Sequence, residues 1–310
     1  MSGRQAVYTE LQIRINPALE DIVADFCFEN LPCEGVVLAE ETYKDLEMIS
    51  TTEGTLKVFL NHDSHSELVS ESHIRKILTA GRELLKSRGL TDEELGSWEF
   101  VISDKPNEDW SKKWKEKWGI THVSDKIVIV PDWLNYNPKA DDVVIRLEPG
   151  CAFGTGTHQT TQLCMKAIEK YMHKDARVAD IGTGSGILAI CAKKFGASYV
   201  YGCDNDDTVI DVAKDNASKN NVECKFELNT ADKITEKFDF ILANILHNVL
   251  ADIMGDLRNI MSNNGTLVLS GILDEKKQIV LDAINKHNLE LIEEAHQDQW
   301  VAFIVMRKIC

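Results

Sequence analysis

The stretch VADIGTGSGILAI, residues 178–190, decides the fold of this chain. It begins as a short apolar strand containing Asp180, continues through Gly182, Gly184 and Gly186, and enters an apolar segment of helical pattern. A strand, a glycine turn and a helix in this order form the first half of a βαβ unit, whose turn approaches a bound ligand closely. The stretch therefore predicts an α/β domain that binds a nucleotide-type cofactor.

The spacing of the glycines argues against a dinucleotide. The fingerprint G-x-G-x-x-G starting at Gly182 requires glycine at position 187, where this chain has Ile187. Asp180 would also repel a pyrophosphate. S-adenosylmethionine carries an ammonium, a sulfonium and a ribose diol but no phosphate, so acids beside the turn favour it. Asp204 ends the next predicted strand, where a βαβ unit places a carboxylate on ribose hydroxyls. A nicotinamide cofactor is the competing interpretation.

Composition indicates a soluble, cytoplasmic protein of one large or two ordinary domains. The chain has 310 residues, of which 44% are hydrophobic, and no apolar run approaches the ~20 residues of a membrane span. Its first residues lack the pattern of a secretory signal. The 8 cysteines include no C-x-x-C pair and the 9 histidines no H-E-x-x-H arrangement, so neither disulfides nor a bound metal are expected.

Acidic residues are concentrated in the first third of the chain. The net charge is −16, and residues 1–100 carry 19 Asp and Glu against 9 Lys and Arg, a net charge of −10. Such a surface repels nucleic-acid phosphates and attracts basic partners. We therefore expect a basic protein partner and no direct binding of nucleic acid.

The hydrophobic periods of the first hundred residues predict the order βαββαβ. Strands are predicted at 8–15, 35–40, 56–61 and 98–103, and helices at 17–29 and 67–88. This is the ferredoxin-like arrangement, in which two helices cover one face of an antiparallel sheet. We predict a binding domain at residues 1–103.

Three tryptophans follow, Trp110, Trp114 and Trp118, spaced four apart with lysines between them. On a helix they would form one face. The preferred interpretation is that this face packs on a neighbouring domain, and stacking on nucleic acid is the alternative. We predict a linker helix at 104–124.

From residue 125 onward, strands and helices alternate. Strands are predicted at 127–131, 143–147, 178–181, 199–203, 224–228, 238–243 and 265–270, and helices at 160–171, 187–195, 206–219, 247–261 and 275–285. Two closing strands at 290–295 and 300–307 predict a hairpin. Repeated βαβ units predict a mostly parallel sheet. With a closing antiparallel hairpin, this is the class I methyltransferase, Rossmann-like fold, predicted for residues 125–310.

The motifs now in hand resemble those of the PrmA family, the bacterial methyltransferases of ribosomal protein L11. The most specific motif is PGCAFGTGTHQTT, residues 149–161. The others are DIGTGSGILAI (180–190), ANIL (243–246), the DW…W segment and the closing QWVAFIV (299–305). The resemblance runs almost from end to end, and it implies a substrate-gripping ferredoxin-like domain and a catalytic domain that uses S-adenosylmethionine.

The resemblance also implies which residues bind the cofactor. By position these are Thr161, Gly182, Asp204 and Asn244, with Phe153 and the glycine turn around them. Thr183 stands where the family often has cysteine, and Asp207 where it often has proline. Neither departure removes a group that the cofactor needs.

The chemistry of methyl transfer predicts the catalytic candidates. A neutral amine must be held in line with the methyl group, and the side-chain carbonyl of Asn244 could accept its N–H bonds. The usual N/D-P-P-Y/F pattern is absent here, so Phe153 is the candidate aromatic contact. Asn244 has an alternative interpretation as a helix N-cap, and His158 has one as a structural hydrogen-bonding residue.

The remaining candidates would bind the methionine part of the cofactor. The threonine-rich loop, with Thr157 and Thr161, suits a carboxylate at a helix start, and Asp180 suits the amino group. The leading hypothesis is a monomeric S-adenosylmethionine-dependent enzyme that methylates lysine ε-amines and the N-terminal α-amine of ribosomal protein L11, free or on the large subunit. The alternatives are methylation of another protein or a small amine, and a non-catalytic cofactor-binding protein.

Overall fold

The computed structural model describes residues 7–16, 19–37, 43–44, 47–48, 54–60, 70–87, 89–106, 119–147 and 156–308. The chain forms two compact units, Met1–Trp118 and Gly119–Cys310. None of the described helices has the length and apolar character needed to cross a bilayer.

The first unit has the predicted βαββαβ order. Its elements are β1 (Val7–Ile15), α1 (Glu20–Asn30), β2 (Cys33–Val37), a small hairpin β3 (Tyr43–Lys44) and β4 (Glu47–Met48), β5 (Gly54–Leu60), α2 (Glu71–Ser87), α3 (Asp92–Leu95) and β6 (Phe100–Pro106). The main sheet has the order β2-β5-β1-β6 with antiparallel neighbours. This is the strand order of a ferredoxin-like sheet, so the prediction is confirmed.

One face of this sheet forms the core of the first unit. Alternate residues of β1 and β5 are fully buried, and they share one apolar cluster with residues of both long helices. These sheet residues are Leu11, Ile13, Ile15, Leu56, Val58 and Leu60. Helices α1 and α2 therefore cover one face of the sheet, as predicted.

The two ends of the predicted linker helix, 104–124, are strands in the structure, so these parts of the prediction are wrong. Residues 104–106 belong to β6, because they pair with the first residues of β1, and Thr121–His122 form a strand that pairs with Val128 and Ile129. Trp110, Trp114 and Trp118 lie outside the described residues.

The second unit begins with a small three-stranded sheet of β7 (Thr121–His122), β8 (Ile127–Pro131) and β9 (Val143–Leu147). Strands β8 and β9 run parallel, and β9 is an edge strand of this sheet. The predicted bounds of both strands are confirmed. Strand β8 is a continuous apolar run, and β9 is apolar except for Arg146.

Alternating helices and strands follow. They are α4 (Gln159–Tyr171), β10 (Arg177–Ile181), α5 (Ile187–Lys194), β11 (Tyr199–Asp204), α6 (Asp207–Lys219), β12 (Lys225–Leu228), β13 (Phe238–Asn244), α7 (His247–Ile260), β14 (Met261–Leu273), α8 (Lys277–Lys286), β15 (Leu289–Gln297) and β16 (Trp300–Arg307). They build a sheet of order β12-β11-β10-β13-β14-β16-β15. Strands β10 to β14 run parallel to one another, and β16 is antiparallel to both β14 and β15.

This topology places the candidate site. The chain leaves β10 toward β11 and β12 on one side, then returns to build β13 and β14 on the other. Helices α4, α5 and α6 contribute to the apolar cluster on one face, and α7 and α8 to the cluster on the other. Ligands of such sheets bind where the strand order reverses, outside the carboxyl ends of the strands. Here that point lies between β10 and β13.

Candidate functional site

The glycine turn connects β10 to α5 in a backbone conformation that favours glycine. Gly182, Gly184 and Gly186 have φ values of +72°, +49° and +78°. The N–H groups of Gly182 and Thr183 donate to the carbonyl of Cys203 on β11, at 2.9 and 3.0 Å. A Cβ on Gly182 would also overlap the Ile245 side chain. The turn is therefore held close to the carboxyl ends of both neighbouring strands.

Asp180 lies beneath this turn and is 1% exposed. Its Oδ2 accepts hydrogen bonds from the Thr183 hydroxyl at 2.8 Å and from the Ala189 N–H at 3.1 Å. Its Oδ1 has no hydrogen-bond partner among the residues that the structure describes. Burial raises the pKa of Asp180 to about 7, and the negative charge of Asp204 adds to the rise. A cationic group placed against Oδ1 would stabilise the ionised form.

Asp204 ends β11 on the other side of the turn. Its Oδ2 accepts the N–H of Gly184 at 3.0 Å and its Oδ1 that of Asp206 at 3.2 Å. Burial raises the pKa of Asp204, and these backbone hydrogen bonds oppose the rise. Both oxygens are thus fixed while each retains lone pairs that could accept from the two hydroxyls of a diol.

Asn244 is the last residue of β13 and is 7% exposed. Its Nδ2 donates to the hydroxyl oxygen of Thr161, itself fully buried, at 3.4 Å. Its Oδ1 has no partner within the described part of the chain. Helix α7 begins at His247 with Leu246 as its N-cap, so the alternative interpretation of Asn244 as an N-cap is wrong.

His158 is the N-cap of α4. Its Nδ1 accepts the N–H of Thr160 at 3.4 Å and lies 2.7 Å from the Thr160 hydroxyl. The ring also meets the buried Trp300 edge to face, with centroids 4.9 Å apart. The structural interpretation of His158 therefore matches these contacts, and a contact with substrate stays a prediction.

The threonine-rich loop is described only in part. Phe153 lies outside the described residues, as do the others between Leu147 and Gly156. Gly156 has a φ of +80°, and a Cβ there would overlap Ile129 and lie 2.7 Å from the Cδ1 of Ile187. The Thr157 carbonyl accepts a hydrogen bond from Gln162. Gly156 thus packs against the first residue of α5, beside the glycine turn.

Two side chains that hydrogen-bond within this site, Thr183 and Asn216, were not predicted from the sequence. The Thr183 hydroxyl orients Asp180, and Asn216 donates to the carbonyl of Ser185 inside the turn at 2.9 Å. A threonine between two glycines was a visible signal for the first. The second depends on the packing of a distant helix, which no local pattern indicates.

The arrangement suits one kind of ligand. Asp180 buries an oxygen that no described residue pairs with, and a second carboxylate lies at the adjacent strand end beside a glycine turn with no space for a side chain at Gly182. These groups match an ammonium and a ribose diol. The same acids would repel a pyrophosphate. These residues therefore fit S-adenosylmethionine.

The fold and this site define a class I methyltransferase that uses S-adenosylmethionine. Comparison with known families agrees, because the model of the family described as "Ribosomal protein L11 methyltransferase (PrmA)" matches residues 7–308. The chain belongs to the ribosomal protein L11 methyltransferase family.

Individual relatives have similar names and lengths. A "Ribosomal protein L11 methyltransferase" of Clostridium perfringens is 31% identical over 316 residues, covering 97% of this chain and 99% of the relative. That of Macrococcus caseolyticus is 33% identical over 319 residues with the same shares. The crystal structure of a ribosomal protein L11 methylase from Lactobacillus delbrueckii subsp. bulgaricus is 35% identical, with a TM-score of 0.60, covering 62% of this chain and 100% of that one.

Proposed function

We propose that this protein transfers methyl groups from S-adenosylmethionine to the lysine ε-amines and the N-terminal α-amine of ribosomal protein L11. The observation that carries the proposal is a pair of buried oxygens, Asp180 Oδ1 and Asn244 Oδ1, at the carboxyl ends of the adjacent strands β10 and β13, for which the described residues provide no hydrogen-bond partner. Leaving such groups unsatisfied costs about 1–3 kcal/mol each. A cationic group and an amine would satisfy them.

The cofactor is held by residues of both glycine-rich blocks in this proposal. Asp180 accepts from its ammonium, Asp204 accepts from the ribose hydroxyls, and Gly182, Gly184 and Gly186 allow close approach. Thr157, Thr161 and Phe153 complete the contacts from the first block, with Asn244 at the border of cofactor and substrate. The bound cofactor supplies a methyl group on a positively charged sulfur, an activated leaving group.

Asn244 then orients the acceptor. Its Oδ1 accepts an N–H of the incoming amine, and its Nδ2 is occupied by Thr161, so the oxygen is directed toward the substrate. The amine must be neutral to attack, and burial lowers the pKa of an amine. Alignment and desolvation are the main contributions of the protein, and no strong general base is required.

The amine that reacts has to arrive in this buried site as part of a protein, and we assign its recognition to the first unit. The support is the net charge of −10 over residues 1–100, which complements a basic ribosomal protein. We propose that the protein works in the cytoplasm as a monomer, on L11 that is free or on the large subunit.

Purified L11 and S-adenosylmethionine labelled in its methyl group test the proposal. We expect the full chain to label L11, and a chain lacking Met1–Trp118 to bind S-adenosylhomocysteine but lose the labelling. Labelling that survives the deletion would favour a small-amine or general protein acceptor. If the full chain binds the cofactor and labels no protein in a ribosomal extract, the proposal fails.

A further inference from the structure

Two buried asparagines, Asn216 in the last turn of α6 and Asn220 at its C-cap, belong to neither glycine-rich block. Asn216 and Asn220 are 4% and 5% exposed and are four residues apart, so they share one face of the helix. Buried amides cost free energy unless they are hydrogen-bonded. The hydrogen-bond partners of the two side chains therefore indicate their structural role.

Asn220 takes the place of a neighbouring strand at the edge of β9. Its Oδ1 accepts the backbone N–H of Arg146 at 2.8 Å, and its Nδ2 donates to the carbonyl of the same residue at 2.6 Å. Strand β9 pairs with β8 on its other side, where Arg146 is opposite Val130. One side chain thus fixes both backbone groups of Arg146. Strand β9 ends at Leu147, and the first glycine-rich block follows in the sequence.

Asn216 makes the corresponding contact with the second block. Its Nδ2 donates to the carbonyl of Ser185, between Gly184 and Gly186, at 2.9 Å. The Asn216 carbonyl accepts from both the side chain and the backbone of Asn220, at 2.9 and 3.1 Å. A continuous chain of hydrogen bonds therefore joins Arg146 to the glycine turn.

A second contact involves the described part of the first block, which begins at Gly156. Gly156 of the first block approaches Ile187, which directly follows Gly186, so closely that a side chain would not fit. The described residues thus hold the glycine turn at two places, against Gly156 of the first block and, through the two asparagines, against the end of β9.

We propose that Asn216 and Asn220 are positioning residues that hold the glycine turn at a fixed distance from the end of β9, from which the first glycine-rich block continues in the sequence, and so determine the affinity for the cofactor. The inference rests on the proposed assignment of both blocks to S-adenosylmethionine. Neither asparagine touches the reacting atoms. Their effect is therefore on the KM for the cofactor, with kcat at saturating cofactor unchanged.

A double-mutant cycle tests this. In the full chain, Asn216→Ala and Asn220→Ala are each expected to raise the Kd for S-adenosylhomocysteine roughly tenfold, and the double variant no more than the worse single one, since both break the same chain. The cycle is measured by calorimetry well below the unfolding midpoint of every variant. L11 methylation at varied cofactor concentration then gives KM and kcat.

Asp239→Ala is the matched control. Asp239 also accepts a backbone N–H of a strand, that of Arg177 at 3.0 Å. Arg177 begins β10, so this contact lies at the amino end of the strand, away from the glycine turn. We expect a comparable loss of thermal stability with a Kd within twofold of wild type. If Asn220→Ala does not fold, Asn216→Ala alone is compared with Asp239→Ala.

Three results would overturn the inference. They are a Kd unchanged in the asparagine variants, additive effects in the cycle, or a loss confined to kcat. Failure of the proposed function is distinct, because the wild-type protein itself would then not bind S-adenosylhomocysteine or not methylate L11.

Discussion

The large sheet has an amino edge, where its parallel strands begin, and a carboxyl edge, where they end. The polar groups at these two edges differ in how well they are hydrogen-bonded. At the amino ends of the strands, Arg177 donates its backbone N–H to Asp239 and its guanidinium to Glu236 and the carbonyl of Lys237, and it stacks over the Tyr199 ring. At the carboxyl ends, Asp180 and Asn244 bury oxygens for which the described residues offer no partner.

The difference separates what stabilises the fold from what the fold is used for. Half-exposed, satisfied pairs at the amino edge contribute modestly to stability. Buried, unsatisfied groups at the carboxyl edge cost stability, and a protein retains such groups where a ligand completes them. Variants at the two edges should therefore differ in kind, with binding lost at one edge and only stability lost at the other.

The largest expected effect on cofactor binding is at Gly182, and Gly196 serves as its control. Gly182→Ala adds a Cβ that overlaps Ile245 at a φ of +72°, and it should weaken S-adenosylhomocysteine binding by about a hundredfold, because the turn must shift. Gly196→Ala, in the loop between α5 and β11, suffers a similar backbone penalty at +94° but has only an ordinary contact with Lys174.

Both glycine variants should lose about 1–2 kcal/mol of stability through the left-handed backbone. Calorimetric titration should show the binding loss in Gly182→Ala alone. Equal Kd values for the two variants would remove the distinction between the edges.

A smaller effect is expected at Asp180, and it depends on pH. Burial raises the pKa of the Asp180 carboxyl from 3.8 to about 7. Its protonated form therefore contributes fully to the stability of the folded state below pH 3.8, and this contribution is lost as the pH rises through about 7. Between these two pH values, the free energy of unfolding of wild type should fall by on the order of a few kcal/mol relative to that of Asp180→Asn, as measured by urea unfolding.

Cofactor binding should follow the opposite trend, since an ammonium pairs with the ionised form. The affinity of wild type for S-adenosylhomocysteine should increase as the pH rises through about 7. Asp180→Asn should bind about tenfold more weakly at high pH and lack this dependence. Parallel pH profiles for the two proteins would contradict the assignment of Asp180.

The smallest effect is expected at the amino edge. The guanidinium of Arg177 and the carboxylate of Glu236 are 42% and 41% exposed, so Arg177→Ala should cost about 1 kcal/mol or less from the ion pair. The Kd for S-adenosylhomocysteine should stay within twofold of wild type. A large loss of binding would show that the two edges are coupled through the sheet.

The helices and strands of the fold were predicted from the sequence only in part. Strands such as Ile127–Pro131 and Trp300–Arg307 were placed at their observed bounds, because uninterrupted apolar runs leave little choice. Strand β14 is longer than predicted, since Met261 pairs with Phe238 across a bulge that polar residues concealed. Helix α3 was missed although Thr91 and Glu94 form a capping box, a pattern that is readable in the sequence.

The candidate site residues that the sequence indicates are those whose chemistry is local to a motif, and their roles stay predictions. Asp180, Asp204 and Asn244 follow from acids and an amide at strand ends. The bond from Asn220 to Arg146 joins positions 74 apart in the chain, and only the packing of α6 beside β9 brings them together. His158 had two readings because a capping imidazole and a substrate-binding one look the same in sequence.

The mass of L11 after incubation with S-adenosylmethionine tests the central claim most directly. Three proteins are compared at saturating cofactor, namely wild type, Asn244→Ala and Asn259→Ala, an exposed asparagine on α7. Wild type and Asn259→Ala should add methyl groups that peptide mapping places on lysine ε-amines and the N-terminal α-amine. Asn244→Ala should be slower by about a hundredfold or more. Unmodified L11 with wild type, or a wild-type rate in Asn244→Ala, would contradict the account.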